Sequence, residues 1–168
     1  LFRERVPFIK RCFLAIDRPE DRPYTLLWLF TQFLGSIIVI IGIAIISEVY
    51  FNISWPNIGL FVICLAMIGD GFAEPIGVRF GKYKYRTFAL FTKKRYYRTI
   101  EGSLAVFIST VFVVLIFSYL FTGEQLLYAL IILPITITLT EAFSPHTWDS
   151  PFLLGVAGLG TVAILSNF

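Results

Sequence analysis

Apolar residues run through this chain in long unbroken blocks, and polar residues collect between them. Five blocks approach the roughly 20 apolar residues an α-helix needs to cross a bilayer at about 1.5 Å rise each. They are Leu26–Ile46, Ile58–Val78, Ile100–Phe121, Leu126–Phe143 and the shorter Pro151–Leu165. The pattern predicts an all-α, polytopic helical membrane protein with about five transmembrane helices. Ahead of the blocks lies a leader, residues 1–25, in which Phe8, Cys12 and Ala15 or Ile16 fall at helical spacing among Arg3, Arg5, Lys10, Arg11, Arg18 and Arg22. Such a leader suits an amphipathic helix on an anionic leaflet, and equally the cytoplasmic tail of a preceding helix. Pro19 and Pro23 end it before the first span. The chain opens on Leu1 rather than Met and shows no cleavable signal pattern, so upstream helices are compatible with it. Residues 26–168 form the expected membrane-embedded domain.

Charge orients the spans. The leader holds six basic residues and the connection 79–98 holds eight, whereas the connection 47–57 has Glu48, Tyr50 and Trp55 but no Lys or Arg. The positive-inside rule puts the leader and residues 79–98 in the cytoplasm and residues 47–57 outside. Acids then gather at one face: Asp70 and Glu74 late in the second span, Glu101 at the start of the third, Glu141 at the end of the fourth, and Asp149 in the loop after it. Carboxylates are costly at membrane depth, so this one-sided set points to a cytoplasm-facing site.

The second span carries Gly69 and Gly71 around Asp70, then Pro75, Gly77 and Gly81. Proline removes a backbone donor and clashes with the preceding turn, so a broken or kinked helix is expected there. Where helix persists, Asp70 and Glu74 are four apart and share a face. In the fourth span Thr136, Thr138 and Thr140 precede Glu141, and threonines in an apolar helix commonly bond back to their own carbonyls.

Composition narrows the class. Hydrophobic residues make up 57% of the chain and charged ones 15%, against about one quarter charged in soluble domains. Cys12 and Cys64 form no metal or disulfide pattern, and a lone His146 argues against a histidine-rich zinc site. Neither a P-loop nor a protein-kinase motif set is present.

Clustered acids beside Lys and Arg supply what a magnesium–nucleotide site needs: oxygen ligands for a hard cation and positive charge for phosphates. In the connection, Lys82, Lys84 and Arg86 alternate with Tyr83 and Tyr85, and Lys93, Lys94, Arg95 and Arg98 follow. A polybasic, tyrosine-rich segment also anchors to acidic lipid. The phosphate reading gains from Arg98-Thr99-Ile100-Glu101-Gly102-Ser103, where a helix N-terminus would present free N–H groups and a hydroxyl beside an arginine.

The ordered blocks Gly69-Asp70-Gly71-x2-Glu74-Pro75-x-Gly77-x2-Phe80-Gly81-Lys82, Arg98-Thr99-Ile100-Glu101-Gly102-Ser103, Glu141 and Asp149-x-Pro151 resemble the CTP-dependent polyprenol kinase family. That family includes dolichol, phytol and farnesol kinases and a CTP-using diacylglycerol kinase. The resemblance covers about residues 58–155. Two departures stand out: Trp148-Asp149-Ser150-Pro151 replaces a common Asp-Asp-Asn pattern, and Arg98 stands where Lys is common. The resemblance implies transfer of the γ-phosphate of CTP to the hydroxyl of a membrane lipid alcohol, at the cytosolic or stromal face. It implies catalytic roles for Asp70, Glu74 and Glu101, and nucleotide or phosphate contacts at Gly69, Gly71, Gly77, Gly81, Lys82, Arg98, Thr99, Gly102 and Ser103. Mg2+ would be held among Asp70, Glu74, Glu141 and Asp149. The implied partners are CTP, the lipid alcohol and the bilayer, with no nucleic acid. A CDP-diacylglycerol synthase shares a similar Thr-x-Glu-Gly block, but its preceding Ser-Pro is replaced here by Tyr96-Tyr97. A transporter would also explain intramembrane acids, but no internal repeat is evident.

Overall fold

The computed structural model describes residues 24–89, 92–146 and 148–167, with backbone alone for 89 and 92–95. Helix α1, Thr25–Ile45, runs on into a π-helical turn, Ile46–Tyr50. Helix α2 is Trp55–Phe80, strands β1 and β2 are Lys84–Ala89 and Thr92–Thr99, and helix α3 is Ile100–Ile116. A 3-10 turn, Ser118–Leu120, leads to α4, Gly123–Phe143, and α5, Asp149–Asn167, follows. Packing divides the chain into two units, Leu1–Thr31 and Gln32–Phe168. In the first unit the described residues are the opening turns of α1, where Thr31 bonds back to the Leu27 carbonyl at 2.8 Å. The amphipathic helix expected of the leader lies outside the described residues.

In the second unit α2 packs on α3, α3 on α4, α4 on α5, and α5 returns to α2. Each of these helices runs antiparallel to the one before, α2 to α3 through the hairpin and the others through short links. Their common core is fully buried at Phe61, Leu65, Val106, Leu133, Ile137 and Leu153. Many large apolar side chains stay exposed, among them Phe33, Ile38, Phe112, Ile116 and Leu139. In water that surface would be a liability; in lipid it is the solvated face, and helices associate through close packing at small residues instead. Along α1 and α5, Gly35 meets Trp148 and Pro151, Gly155 meets Val39 and Gly158 meets Ile43. Residues 32–45 of α1 therefore run parallel to α5, with small residues at their contacts.

Four helices, Thr25–Tyr50, Trp55–Phe80, Gly123–Phe143 and Asp149–Asn167, are long and apolar enough to cross a membrane. The short one is α3, at 17 residues, rather than the final segment that its sequence marked as short. Helix α3 stops because Phe117 and Phe121 both turn onto Phe61, each with ring centroids 5.4 Å away, and the aromatic contact favours a tightened 3-10 turn over another helical turn.

Two local expectations change. Helix α2 is not broken: it continues through Pro75 for 26 residues. Proline forfeits one hydrogen bond, to the Gly71 carbonyl, and its ring crowds that same carbonyl. Gly71 faces open space, so the helix can relax there without losing a tertiary contact. The connection 79–98, read from its sequence as a basic, tyrosine-rich segment with no regular element, carries two strands. It folds as an antiparallel hairpin with Lys84 opposite Thr99, Tyr85 opposite Arg98, Arg86 opposite Tyr97 and Thr87 opposite Tyr96. Tyr85, Thr87, Phe88, Tyr96 and Tyr97 are good strand formers on a half-buried pleat.

Candidate functional site

The hairpin lies where the C-termini of α2 and α4 meet the N-termini of α3 and α5. Strand β2 passes into α3 with no intervening residue, and Thr99 at the junction caps the helix by accepting the Gly102 N–H at 3.1 Å. Glu101, in the first turn of α3, reaches back to accept the N–H groups of Lys82 at 3.0 Å and Tyr83 at 3.4 Å. That carboxylate thus fixes the turn between α2 and β1.

Period-2 alternation gives the hairpin two faces. Tyr85, Thr87, Tyr96 and Arg98 face the helix ends, whereas Lys84, Arg86, Phe88 and Tyr97 are exposed. On the inner face Thr87 donates to the Ser144 carbonyl at 3.3 Å, and Tyr96 stacks on His146 with centroids 4.0 Å apart. The His146 N–H extends the pairing by donating to the Phe88 carbonyl at 2.8 Å.

Arg98 is the hub. Its guanidinium pairs with Glu141 at 3.2 Å and with Asp149 at 3.0 Å, and donates to the Ser144 hydroxyl at 3.4 Å. All three charged side chains are largely buried, at 12%, 5% and 14% exposure respectively. The Glu141 carboxylate also accepts from Ser103 at 3.1 Å, and Ser103 lies 2.7 Å from the Tyr85 hydroxyl. Since the one Ser103 proton goes to the carboxylate, Tyr85 is the donor of that pair. Burial pushes the Tyr85 phenol above its ordinary value, the bond to Ser103 opposes it, and the nearby Glu141 charge adds to the rise. Tyr85 is accordingly a neutral donor. From α1, Gln32 donates to the Ser150 hydroxyl at 2.6 Å and more weakly to Asp149 at 3.4 Å.

No family model matches the chain, and neither a curated protein nor a solved structure matches it.

Of the residues singled out in the sequence, Arg98, Ser103, Glu141 and Asp149 come together in one network. The glycines have a packing role. A Cβ on Gly102 would stand 2.8 Å from the Ala73 carbonyl oxygen and one on Gly77 would stand 2.7 Å from the Thr99 hydroxyl. At Gly81 it would strike the Gly77 carbonyl and the Thr99 methyl. Gly102 lets α3 meet the backbone of α2, Gly77 makes room for the capping Thr99, and Gly81 lets the chain turn off α2 beside Thr99. Gly69 packs against Val106, while Gly71 is open. Asp70 is half-buried and Glu74 exposed, respectively ten and six residues before the end of α2, or about 15 and 9 Å along the helix. Lys82 is exposed. The side chains of Lys93 and Lys94 lie outside the described residues.

Among the described residues no three His, Cys, Asp or Glu side chains group tightly enough to hold an ion by themselves. A magnesium ion that arrives with a nucleotide needs only one or two carboxylates and takes its other ligands from phosphate and water. The donor set fits that mode: Asp70 and Glu74 share a helical face, and Glu141 with Asp149 places two carboxylates against one guanidinium, an excess of negative charge.

Tyr85, Ser144 and Gln32 join the network without having stood out in the sequence as site residues. For Tyr85 the signal was the alternation in Lys84-Tyr85-Arg86-Thr87, and for Gln32 a lone amide in an apolar span. The threonines of α4 divide: Thr136 and Thr140 bond back to carbonyls at 2.8 and 2.7 Å, but the buried Thr138 hydroxyl has no partner.

Proposed function

We propose that this chain is a membrane-embedded, CTP-dependent lipid kinase that transfers the γ-phosphate of CTP to the hydroxyl of a membrane lipid alcohol such as a polyprenol or phytol. The observation that carries the reading is the network itself. Arg98 reaches Asp149 across 51 positions of sequence and Ser103 reaches Glu141 across 38, so separate motif blocks supply one buried polar cluster at the end of an apolar bundle. Buried ionisable groups are costly in a membrane protein, and where they are kept they support a functional reading.

In this reading the lipid hydroxyl oxygen attacks the γ-phosphorus, the bond from phosphorus to the bridging oxygen breaks, and CDP leaves. A site carboxylate takes the hydroxyl proton. Positioning and charge stabilisation are the protein's main tasks in such a transfer. Asp70 and Glu74 would hold Mg2+, which when bound neutralises phosphate charge. Lys82 would meet phosphate from the exposed turn before β1. Arg98, already tied to two carboxylates, chiefly sets where Glu141 and Asp149 stand, and Ser103 with Tyr85 orients Glu141.

The test is Asp70→Asn, which keeps the side-chain shape and removes the charge a hard cation needs. Lipid phosphorylation by the reconstituted chain should fall about a hundredfold, with the melting temperature in detergent unchanged or slightly raised. Retained turnover with a lowered melting temperature would make Asp70 structural and contradict the reading.

A further inference from the structure

A cleft of about 320 Å³ opens between β1 and the last turn of α4, lined by Arg86, Thr87, Phe88, Ala142 and Phe143. We infer that it binds the headgroup end of an anionic phospholipid from the surrounding leaflet, with the phosphate on Arg86 and the first acyl carbons against Phe88 and Phe143. The inference does not depend on the kinase reading.

Position argues first. The cleft sits at the C-terminus of α4, one of the helices long enough to span a bilayer, which is the depth of headgroups and upper acyl carbons. Its chemistry is divided in the same way. Phe88 and Phe143 are 55% and 71% exposed, a poor arrangement in water and a good one against lipid carbons. Arg86 is exposed and takes no part in the two ion pairs of the site. Thr87 contributes little beyond shape, since its hydroxyl is committed to the Ser144 carbonyl.

Charge then selects the ligand. A guanidinium fork binds phosphate through paired, charge-assisted hydrogen bonds; a headgroup of net negative charge gains most from it, one whose phosphate is offset by a choline cation gains less, and a neutral alcohol gains nothing comparable. A cation flanked by exposed Lys84 and Tyr97 on the same outer face also matches the interfacial pattern of basic and tyrosine side chains. Within the cleft, the hairpin register separates the charged contact from the polar network: Arg86 projects from the face opposite Tyr85 and Arg98, so a phosphate held by its guanidinium stands across the pleat from Arg98.

The experiment uses the full chain in nanodiscs with two photo-crosslinking probes, phosphatidic acid and phosphatidylcholine, each bearing a diazirine near the glycerol end of one chain. The phosphatidic acid probe should label the peptides containing Phe88 and Phe143, and the phosphatidylcholine probe should label them weakly. Arg86→Gln should cut the labelling roughly fivefold or more, Arg86→Lys should retain most of it, and both should melt like the parent. Unlabelled phosphatidic acid should compete, whereas inorganic phosphate and a neutral long-chain alcohol should not. Equal labelling by both probes, labelling indifferent to Arg86→Gln, or competition by inorganic phosphate or the neutral alcohol would each overturn the assignment.

Discussion

Arg98 carries more of the architecture than its sequence position suggests. As part of a basic run it reads as a free cation awaiting phosphate, yet its partners Glu141 and Asp149 arrive from 43 and 51 positions away in sequence, and only the folded chain brings them to within 3.2 and 3.0 Å. That is why the candidate residues were legible one by one while their pairing was not: each acid stood out by its cost in an apolar segment, but nothing local says which cation it meets. Removing the guanidinium alone leaves two largely buried carboxylates facing each other, a change expected to cost roughly 3 kcal/mol. Arg98→Ala should therefore lower the melting temperature in detergent, and adding Glu141→Gln and Asp149→Asn should recover most of the loss without restoring lipid phosphorylation. No recovery in the triple variant would mean that Arg98 stabilises the chain through packing rather than through the pair.

At the scale of elements, helices were legible because block length and apolar content suffice to mark a span, and the observed ends of α2 and α4 fall close to the expected ones. The hairpin was not, because its alternation sits inside a run of charge that has its own reading as a membrane anchor. Pro75 misled for a different reason: one missing hydrogen bond in a 26-residue helix is tolerated where the i−4 residue is an open glycine. Junctions between elements are where the site is most sensitive. Gly102→Ala would press a methyl group to 2.8 Å from the Ala73 carbonyl oxygen and push α2 from α3, with an expected cost of about 1–3 kcal/mol and loss of thermal stability; an unchanged melting temperature would mean the crossing is looser than it stands here. The hairpin adds a pH dependence. Because the folded state raises the Tyr85 phenol above its unfolded value, its contribution to stability is whole below that unfolded value and declines as pH rises through the folded one. Melting temperature should fall on the alkaline side of about pH 10, and Tyr85→Phe should flatten part of that fall.

Across the whole molecule, one end of the α2–α5 bundle collects the hairpin, Glu101, Glu141 and Asp149, together with the helix ends that position them. Its flanks are exposed and apolar, as a lipid-embedded protein requires. On the proposed function, basic residues of the hairpin would put that end on the cytoplasmic side by the positive-inside rule, where soluble nucleotide and lipid hydroxyls at the interface would meet. The central claim is phosphoryl transfer from CTP at this end of the bundle, and label transfer tests it most directly. Purified, reconstituted chain is incubated with Mg2+, a panel of lipid alcohols and CTP labelled at either the γ- or the α-phosphate, and the extracted lipid is counted. The account predicts γ-label in the lipid and no α-label. Label from the α-phosphate would mark a cytidylyltransferase, and label from neither position across the panel would contradict the kinase account altogether.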